Sequence, residues 1–400
     1  MKTVLKNSMC IYILSLFIFN NSLLSTNYAS MLLFFFNFFV SILYFIKKKK
    51  IIISKIFIWF LLFVLLGLIS IIWSESSYNV SHKVIQLLIN LYNIFIITNI
   101  IETKEDFNSI INCFFISGIF LSMITLITSN FGSISRYNRL GSQIGNSNII
   151  SFNIFCSLIF TVLAYQSKPK KIYIFGIFLM ASVIILSGSR KTILMLPFVF
   201  VLYLILNKKI TLGKKMRRLL SLTLVIILII ILCFNNDYLY SLIGSRIEDM
   251  FSSLFGNDVL DSSINNRNNM IVQGMEWFNN RKWFGYGLDN YCYLYLKKYG
   301  IDYYAHNNYV ELLVDLGITG IIVYYSFFAK MILDYCKSKI IHNEKTCLIF
   351  SLLISILIMD YAKVSYGDRV FSIVITTMYL LFMQERVNRI EKSVSNNVYL

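Results

Sequence analysis

Long apolar segments separated by short polar stretches constrain this chain more than any other feature. Runs long enough to cross about 30 Å of hydrocarbon lie at 8–25, 28–46, 51–73, 84–101, 107–129, 149–166, 172–188, 191–207, 219–234, 308–333, 346–363 and 370–384. Hydrophobic residues make up 57% of the sequence and charged residues 14%, a balance typical of membrane proteins. We therefore predict an all-α polytopic membrane protein, with about twelve transmembrane helices in a single integral membrane domain over residues 1–400.

The basic residues predict how these helices are oriented. The formal net charge is +17, but lysine and arginine fall in short clusters between apolar runs, such as Lys168 to Lys171 and Lys208 to Arg218. The positive-inside rule places these clusters and both chain termini on the cytoplasmic side. No basic face with interleaved aromatic residues remains, so we do not expect nucleic acid as a partner. The apolar run after Lys2 and Lys6 resembles a secretory signal, and we interpret it as the first transmembrane helix.

The longest polar interval, residues 235–307, falls on the predicted outer side between the ninth and tenth helices. Its middle, from Asn266 to Phe278, has apolar residues at helical spacing and predicts an amphipathic helix at or near the membrane. An aromatic turn with Gly285 and Gly287 follows it. We therefore expect this long extracytoplasmic loop to have a structure of its own.

The start of the tenth predicted helix has an unusual polar face. Asn307, Glu311 and Asp315 are spaced four residues apart, opposite an apolar stripe that includes Leu312 and Leu316. Ionisable groups at a membrane are costly unless a site uses them. We therefore expect this face to meet a polar cavity and to contribute to a functional site.

Three arginines and a histidine lie on the same predicted outer side. Arg139 precedes a glycine-bearing loop, Arg190 follows a junction with almost no loop, Arg267 lies in the loop helix, and His306 opens the tenth helix. Each also has a simpler interpretation. These are a turn with Asn148 as N-cap, snorkelling of Arg190, a solvated face for Arg267 and helix capping by His306.

Together these side chains predict a chemistry. Guanidinium groups bind phosphate oxygens in a bidentate way, so arginines converging at the lipid interface suit a lipid pyrophosphate. A neutral histidine beside carboxylates suits a general base for a sugar hydroxyl. We therefore predict transfer of a glycosyl group from a lipid pyrophosphate, with the arginines stabilising the leaving group.

In this prediction His306 orients or deprotonates the acceptor. Glu311 and Asp315 tune His306, or one of them is itself the base. Phosphate leaves as an anion, so we expect no general acid, no metal and no other cofactor. The seven scattered cysteines include no CxxC pair and predict neither a metal site nor a disulfide framework.

The spacing of His306-Asn307, Gly317 and Gly320 resembles the signature of the O-antigen ligase and polymerase superfamily. Its members are lipid A-core ligases and Wzy-type polysaccharide polymerases. Supporting matches are Arg139 with Gly145 to Asn148, Ser189-Arg190, and Phe284 to Gly287, so that the resemblance covers a core of roughly residues 130–330. The matched positions with a predicted role in shaping the site are Asn148, Gly285, Gly287, Asn307, Gly317 and Gly320.

The resemblance implies a protein of the bacterial cytoplasmic (inner) membrane whose active site faces outward. It implies metal-independent glycosyl transfer from glycans linked to undecaprenyl pyrophosphate, with membrane lipid as surroundings and a chain-length regulator as a further partner. A polymerase, which lengthens an O-antigen or capsule, is favoured because few residues are added on the outer side. A ligase that transfers the glycan to lipid A-core or protein is the nearest alternative. A flippase without catalysis is the third, and Asp360 and Lys363 are the observation that suits it.

Overall fold

The computed structural model describes residues 1–19, 27–48, 50–129, 139–236, 239–245, 248, 262–337 and 343–397, and the regular secondary structure of these residues is helical throughout. Three predicted features lie partly outside the described residues. These are the end of the first apolar run, positions 130–138 of the predicted core, and much of the long loop between 246 and 261.

The described residues form fourteen α-helices. They are α1 (Lys2–Phe19), α2 (Asn27–Lys47), α3 (Lys55–Ile69), α4 (Ser77–Ile100), α5 (Lys104–Thr128), α6 (Ser147–Ser167), α7 (Lys171–Leu186), α8 (Arg190–Leu206), α9 (Leu212–Asn235), α10 (Ser262–Asn280), α11 (Asn290–Tyr299), α12 (Asn308–Lys337), α13 (Glu344–Met359) and α14 (Arg369–Asn397). A 3₁₀ turn at Ser70–Trp73 follows α3, and a single π turn lies at Tyr240–Gly244.

Every predicted apolar run coincides with a helix, and α10 and α11 lie within the long loop. Among the described residues, nine helices are long and apolar enough to cross a membrane. The helices α7, α8 and α13, of 16, 17 and 16 residues, are shorter. The all-helical polytopic fold is confirmed, whereas the number of crossings stays a prediction. The helix predicted within Asn266 to Phe278 is confirmed by α10.

The chain divides into two compact units. Unit 1 comprises Met1–Lys50, Ile100–Leu260 and Ile340–Leu352, and unit 2 comprises Ile51–Asn99, Asp261–Lys339 and Leu353–Leu400. Unit 1 therefore contains α1, α2, α5 to α9 and the start of α13. Unit 2 contains α3, α4, α10 to α12, α14 and the rest of α13.

Close helix packing in unit 1 depends on a small residue. A Cβ atom at Gly118 of α5 would lie 2.5 Å from the Cβ of Ser157 in α6 and 2.6 Å from the sulfur of Met180 in α7. Beside it, the rings of Phe114 and Phe160 stack with their centroids 4.3 Å apart. Small residues at such contacts let helix backbones approach within a membrane.

In unit 2 three helices pack against α12. The indole N–H of Trp59 in α3 donates to the carbonyl oxygens of Val323 and Tyr324, at 2.9 and 3.1 Å. On α10, a Cβ atom at Gly274 would lie 2.4 Å from a methyl carbon of Val310. Helices α3, α10 and α11 thus all contact α12, which carries the predicted polar face.

Candidate functional site

The helix α12 is interrupted at Gly317, where φ is 66° and ψ is −159°. The interruption leaves carbonyl groups before it without their helical partners. The turn after α10 supplies donors for them, because the N–H groups of Tyr286 and Gly287 donate to the oxygens of Val314 and Asp315, at 2.9 and 2.8 Å. The turn is therefore held against the first half of α12 by backbone hydrogen bonds.

The same turn also serves the helix after the break. The N–H groups of Ile318 and Thr319, which lost their helical acceptors, donate to the carbonyl oxygens of Lys282 and Trp283, at 2.8 and 3.2 Å. Buried backbone groups must find partners, and here two distant segments satisfy each other. The break and the turn are thus one structural feature.

Glycine is required where the two segments meet. Gly285 and Gly317 have φ values of 65° and 66°, a left-handed conformation in which a side chain is strained. A Cβ atom would lie 2.4 Å from the carbonyl oxygen of Val314 at Gly285, and 2.4 Å from that of Trp283 at Gly317. Gly287, with φ of 101°, would meet Ser74 at the same distance. The two-glycine turn predicted from the sequence is confirmed.

The residues before α12 have separate roles. The side-chain oxygen of Asn307 accepts from the N–H groups of Tyr309 and Val310, at 3.0 and 3.2 Å, and so caps the helix. His306 has a φ of 54°, which is uncommon outside glycine, and its ring centroid lies 4.0 Å from that of Tyr304. The capping interpretation of His306 is therefore wrong, because Asn307 performs that role.

The two carboxylates of α12 are both buried, with Glu311 1% and Asp315 0% exposed. Asp315 uses both oxygens, because Oδ1 accepts from the N–H of Tyr291 at 2.8 Å, and Oδ2 accepts from the N–H of Asp289 at 2.8 Å and the hydroxyl of Tyr366 at 3.2 Å. The polar face expected to meet a cavity therefore meets protein at Asp315.

Glu311 is bound through a single oxygen. Its Oε2 accepts from the N–H of Ala305 at 2.8 Å, whereas Oε1 has no hydrogen-bond donor within the described part of the chain. Of the two carboxylates, Glu311 is thus the one with an oxygen available to a further partner.

A lysine missed by the sequence analysis neutralises part of this acidic cluster. The Lys83 ammonium lies 2.8 Å from a carboxylate oxygen of Asp289 and 5.1 Å from the centroid of the Tyr366 ring. Since Asp289 and Tyr366 both donate to Asp315, the four residues form a closed network. Lys83 therefore sets the charge balance around Glu311 and Asp315.

A signal for Lys83 exists in the sequence. α4 begins at Ser77, before the apolar run predicted at 84–101, so its first turns are polar. These turns lie at the predicted outer end, where a lysine opposes the positive-inside bias. The same argument applies to Arg190 and would have found Lys83.

Asp289, Cys292 and Glu311 bring their potential ligand atoms within 4.8 Å of one another. Burial raises the pKa of the Cys292 thiol, and the charge of Glu311 raises it further. The thiolate, not the thiol, is the metal ligand, and the Lys83 ammonium already lies beside Asp289. This donor set therefore favours lysine over a metal ion as the counter-charge, and the absence of a metal stays a prediction.

Arg267 lies half-buried in α10, and its charge affects Tyr304, which precedes α12. Burial raises the pKa of the Tyr304 phenol, Glu311 adds to the rise, and Arg267 opposes it. Both charged groups are thus close enough to act on Tyr304, whose ring contacts His306. Arg267 and Glu311 thus both influence Tyr304, and a joint site of these residues with His306 stays a prediction.

In unit 1, Arg139 contacts the start of α6. Its guanidinium donates to the side-chain oxygen of Asn148, at 3.1 Å. The predicted N-cap at Asn148 is wrong, because α6 begins earlier, at Ser147, and Asn146 caps it by accepting from the N–H of Asn148 at 2.9 Å. Asn148 is left to bind Arg139.

Arg190 is the first residue of α8, and only three residues separate it from α7. The tight junction predicted from the sequence is thus confirmed. Arg190 lines a cavity of about 640 Å³ whose other walls are mostly apolar side chains of α6 to α9, among them Ile159, Ile185, Pro197 and Ile229. One cationic group is therefore placed at an apolar cavity.

The predicted site residues are divided between the units. Arg139, Asn148 and Arg190 belong to unit 1. Unit 2 contains Gly285, Gly287, Arg267, His306, Asn307, Glu311, Asp315, Gly317 and Gly320. A single outer cavity shared by His306 and all three arginines stays a prediction.

These features define a polytopic helical membrane protein with a buried acidic cluster, a lysine and a histidine gathered around one broken helix. Comparison with known proteins gives a likeness over part of the chain. Residues 175–325 match the O-antigen ligase family, a segment that runs from α7 into α12. The resemblance to the O-antigen ligase and polymerase superfamily is thereby confirmed.

The matched segment contains Arg190, Arg267, His306 and the glycines of the break, whereas Arg139 and Asn148 precede it. No curated protein sequence matches the chain. The family match covers less than half of the chain, and nine of the described helices are long and apolar enough to cross a membrane.

Proposed function

We propose that the protein is a polysaccharide polymerase. It transfers the growing glycan from undecaprenyl pyrophosphate to the terminal sugar of a lipid-linked repeat unit, and so lengthens an O-antigen or capsule. The observation that carries the proposal is the start of α12, where buried Glu311 keeps one oxygen available and His306 adopts a left-handed conformation beside Tyr304.

The reaction is a displacement at the anomeric carbon of the donor. The acceptor hydroxyl oxygen forms a bond to this carbon, and the bond from the carbon to the phosphate oxygen breaks. The leaving undecaprenyl pyrophosphate takes the electron pair as an anion. The hydroxyl proton passes to His306 or to Glu311, which act as general base, and no metal or general acid is required.

The roles of the charged residues follow from this reaction. Arg139, Arg190 and Arg267 bind the pyrophosphate and stabilise its developing charge. Glu311 orients His306 or accepts the proton itself, because one of its oxygens is available. Asp315 is a positioning residue, because its hydrogen bonds hold the backbone around the site. The site faces outward, both termini are cytoplasmic, and a chain-length regulator is a further partner.

The ligase remains the second candidate, because the matched family is described as O-antigen ligase. It would use the same donor and transfer the finished glycan to lipid A-core or protein. For a flippase we find less support, since Asp360 accepts from the Tyr325 hydroxyl at 2.9 Å and Lys363 pairs with Asp368 at 2.5 Å. These contacts account for the two charges within the protein.

The proposal is tested with His306→Ala and Arg190→Ala in cells that make the polymer. Both variants should leave only single lipid-linked repeats, detected by gel electrophoresis of the extracted glycans. His82→Ala and Arg217→Ala, which change residues outside the site, are the matched controls and should make normal polymer.

Other outcomes separate the candidates. Long lipid-linked chains that accumulate without attachment would indicate a ligase. Reconstituted protein that moves lipid-linked oligosaccharide across vesicles without lengthening it would indicate a flippase. Normal polymer in both site variants, at normal protein levels, would contradict any transferase role for these residues.

A further inference from the structure

A row of tyrosines follows one face of α11. Tyr291, Tyr295 and Tyr299 are spaced four residues apart and therefore share a face of the helix. The rings of Tyr291 and Tyr295 stack with centroids 6.0 Å apart, and those of Tyr295 and Tyr299 lie 4.6 Å apart. The sequence analysis did not single out these residues.

The row continues beyond the helix to the candidate site. The Tyr303 ring centroid lies 6.4 Å from that of Tyr295 and 6.5 Å from that of His306, and Tyr304 lies 4.0 Å from His306. We use the name tyrosine row for Tyr295, Tyr299, Tyr303 and Tyr304. Aromatic faces therefore form a continuous path that ends at His306.

One end of this path is anchored, Tyr295 and Tyr304 are half-buried, and Tyr299 and Tyr303 are exposed. Tyr291 is fully buried, and its hydroxyl donates to the carbonyl oxygen of Met270 at 2.7 Å. By contrast, Tyr299 is 46% and Tyr303 44% exposed. Large exposed aromatic rings on a fixed base are typical of binding surfaces.

Polar groups accompany the exposed rings. The side-chain oxygen of Gln273 in α10 accepts from the hydroxyl of Tyr299 at 2.9 Å and from the ammonium of Lys298. These contacts fix the Tyr299 ring and place an ammonium and an amide beside it. The surface thus combines aromatic faces with hydrogen-bonding groups.

Sugar rings match this combination. The face of an aromatic ring carries partial negative charge, and the C–H groups of a sugar ring are weak donors that pack against such a face. Sugar hydroxyls bind amide and ammonium groups. From this geometry we infer that the tyrosine row binds successive sugar residues of the acceptor glycan, with the terminal sugar at His306. This inference rests on the proposed function and adds the position of the acceptor.

The lipid interface is the competing occupant, since tyrosine and tryptophan also gather there. The sugar is favoured because the row ends at His306 and carries the polar contacts of Gln273. More exposed apolar rings, Trp283 and Phe284, lie outside the row and are better suited to lipid. The two occupants give different results in the following experiment.

The probe is the repeat-unit oligosaccharide released by mild acid from lipid-linked intermediates of the source cells. Its affinity for the full chain in nanodiscs is measured for the wild type and for Tyr299→Ala and Tyr303→Ala. Each substitution should weaken binding about tenfold, the effect of losing one aromatic contact. Tyr303→Phe, which keeps the ring, should bind like the wild type.

Tyr293→Ala, on the same helix but outside the row, is the matched control and should bind normally. Turnover with lipid-linked repeats should show a raised KM in the alanine variants, a kcat close to wild type, and shorter chains. Unchanged affinity in both alanine variants, or no binding by the wild type, would overturn the inference. A lowered melting temperature with unchanged affinity would indicate lipid anchoring instead and would also overturn it.

Failure of the proposed function would look different. If the wild type binds the oligosaccharide through the row but never lengthens lipid-linked repeats, the polymerase assignment fails and the binding surface stands. If the wild type lengthens repeats while binding does not depend on the row, the binding surface fails and the polymerase stands.

Discussion

The two units present their charged residues in different surroundings. In unit 2, Glu311 and Asp315 are buried and bound by backbone N–H groups. In unit 1, Arg190 begins α8 and borders an apolar cavity, and Arg139 precedes α6 and donates to Asn148. The carboxylates are thus bound by backbone N–H groups, whereas Arg139 and Arg190 lie in or beside the junctions between helices.

Because of this difference, we expect substitutions in the unit 2 cluster to lower stability more than substitutions of the unit 1 arginines. The unit 2 cluster depends on the break at Gly317, so changes there disturb the fold and the site together. We expect the arginines of unit 1 to be altered with less effect on folding, since neither belongs to the backbone hydrogen bonds that join the turn after α10 to the break at Gly317.

The largest loss of stability is expected for Gly317→Ala. The backbone at Gly317, with φ of 66° and ψ of −159°, lies in a region essentially restricted to glycine and costs other residues about 1–3 kcal/mol. A Cβ atom 2.4 Å from the backbone of Trp283 adds an overpacking cost of about 1–3 kcal/mol. The purified variant should melt well below the wild type, or be recovered in low yield. Thermal unfolding in detergent measures the effect.

Gly300→Ala is the matched control for Gly317→Ala. Its φ of 73° is also left-handed, but a Cβ atom there meets nothing within 4 Å, so only the conformational cost of about 1–2 kcal/mol remains. If both variants lose the same stability, close approach of the turn to α12 is not what the break requires.

A smaller loss is expected for Lys83→Met. The substitution leaves Asp289 without its ion-pair partner in a largely buried cluster, which costs about 3 kcal/mol. Adding Asp289→Asn should recover part of the stability, because the uncompensated charge is then removed. Thermal unfolding of the single and double variants measures both effects.

Lys330→Met provides the comparison for Lys83→Met. Lys330 pairs with Asp334 at 3.5 Å, and its side chain is 54% exposed, so its loss should cost less than about 1 kcal/mol. Equal destabilisation by the two lysine substitutions would mean that Lys83 has no special place in the cluster.

The smallest losses of stability are expected for substitutions of the two carboxylates of α12, and these losses should differ from each other. Asp315→Asn should cost about 2 kcal/mol, because the new amide group faces a backbone N–H that needs an acceptor. Glu311→Gln should cost less than about 1 kcal/mol, since its remaining oxygen can still accept from Ala305. Activity should respond in the opposite order, with polymer formation by Glu311→Gln lowered by at least about 10²-fold.

Unfolding and polymer formation are measured on the same two preparations. If polymer formation falls in proportion to the loss of stability in both variants, Glu311 and Asp315 have equivalent roles. The distinction drawn from the available oxygen of Glu311 would then be wrong.

The helices of both units could be predicted from the sequence, because apolar runs and helical spacing are local properties. The turn at Gly285 and Gly287 was also predicted. The break at Gly317 was not, since the apolar pattern continues from Leu316 to Ile318 and gives no sign of it. The need for glycine at the break becomes clear only in the structure, where the backbone of Trp283 leaves no room for a side chain at Gly317.

Parts of the candidate site depend on contacts between segments distant in the sequence. Lys83 and Asp289 form an ion pair, and although Lys83 opposes the topology bias, no sequence pattern pairs it with Asp289. The sequence predicted Asn148 as the N-cap of α6, whereas Asn146 is the N-cap in the structure, because two asparagines lie close together at that helix start. Hydropathy cannot choose between them, whereas backbone geometry does.

The central claim is that arginines of unit 1 and the histidine of unit 2 act on one substrate. Cryo-electron microscopy of the full chain in nanodiscs with bound undecaprenyl pyrophosphate tests it most directly. We expect a pyrophosphate within hydrogen-bonding distance of both Arg190 and Arg267, with the His306 ring facing the same space. A pyrophosphate bound away from Arg190, or an Arg190 that lies far from His306, would contradict it.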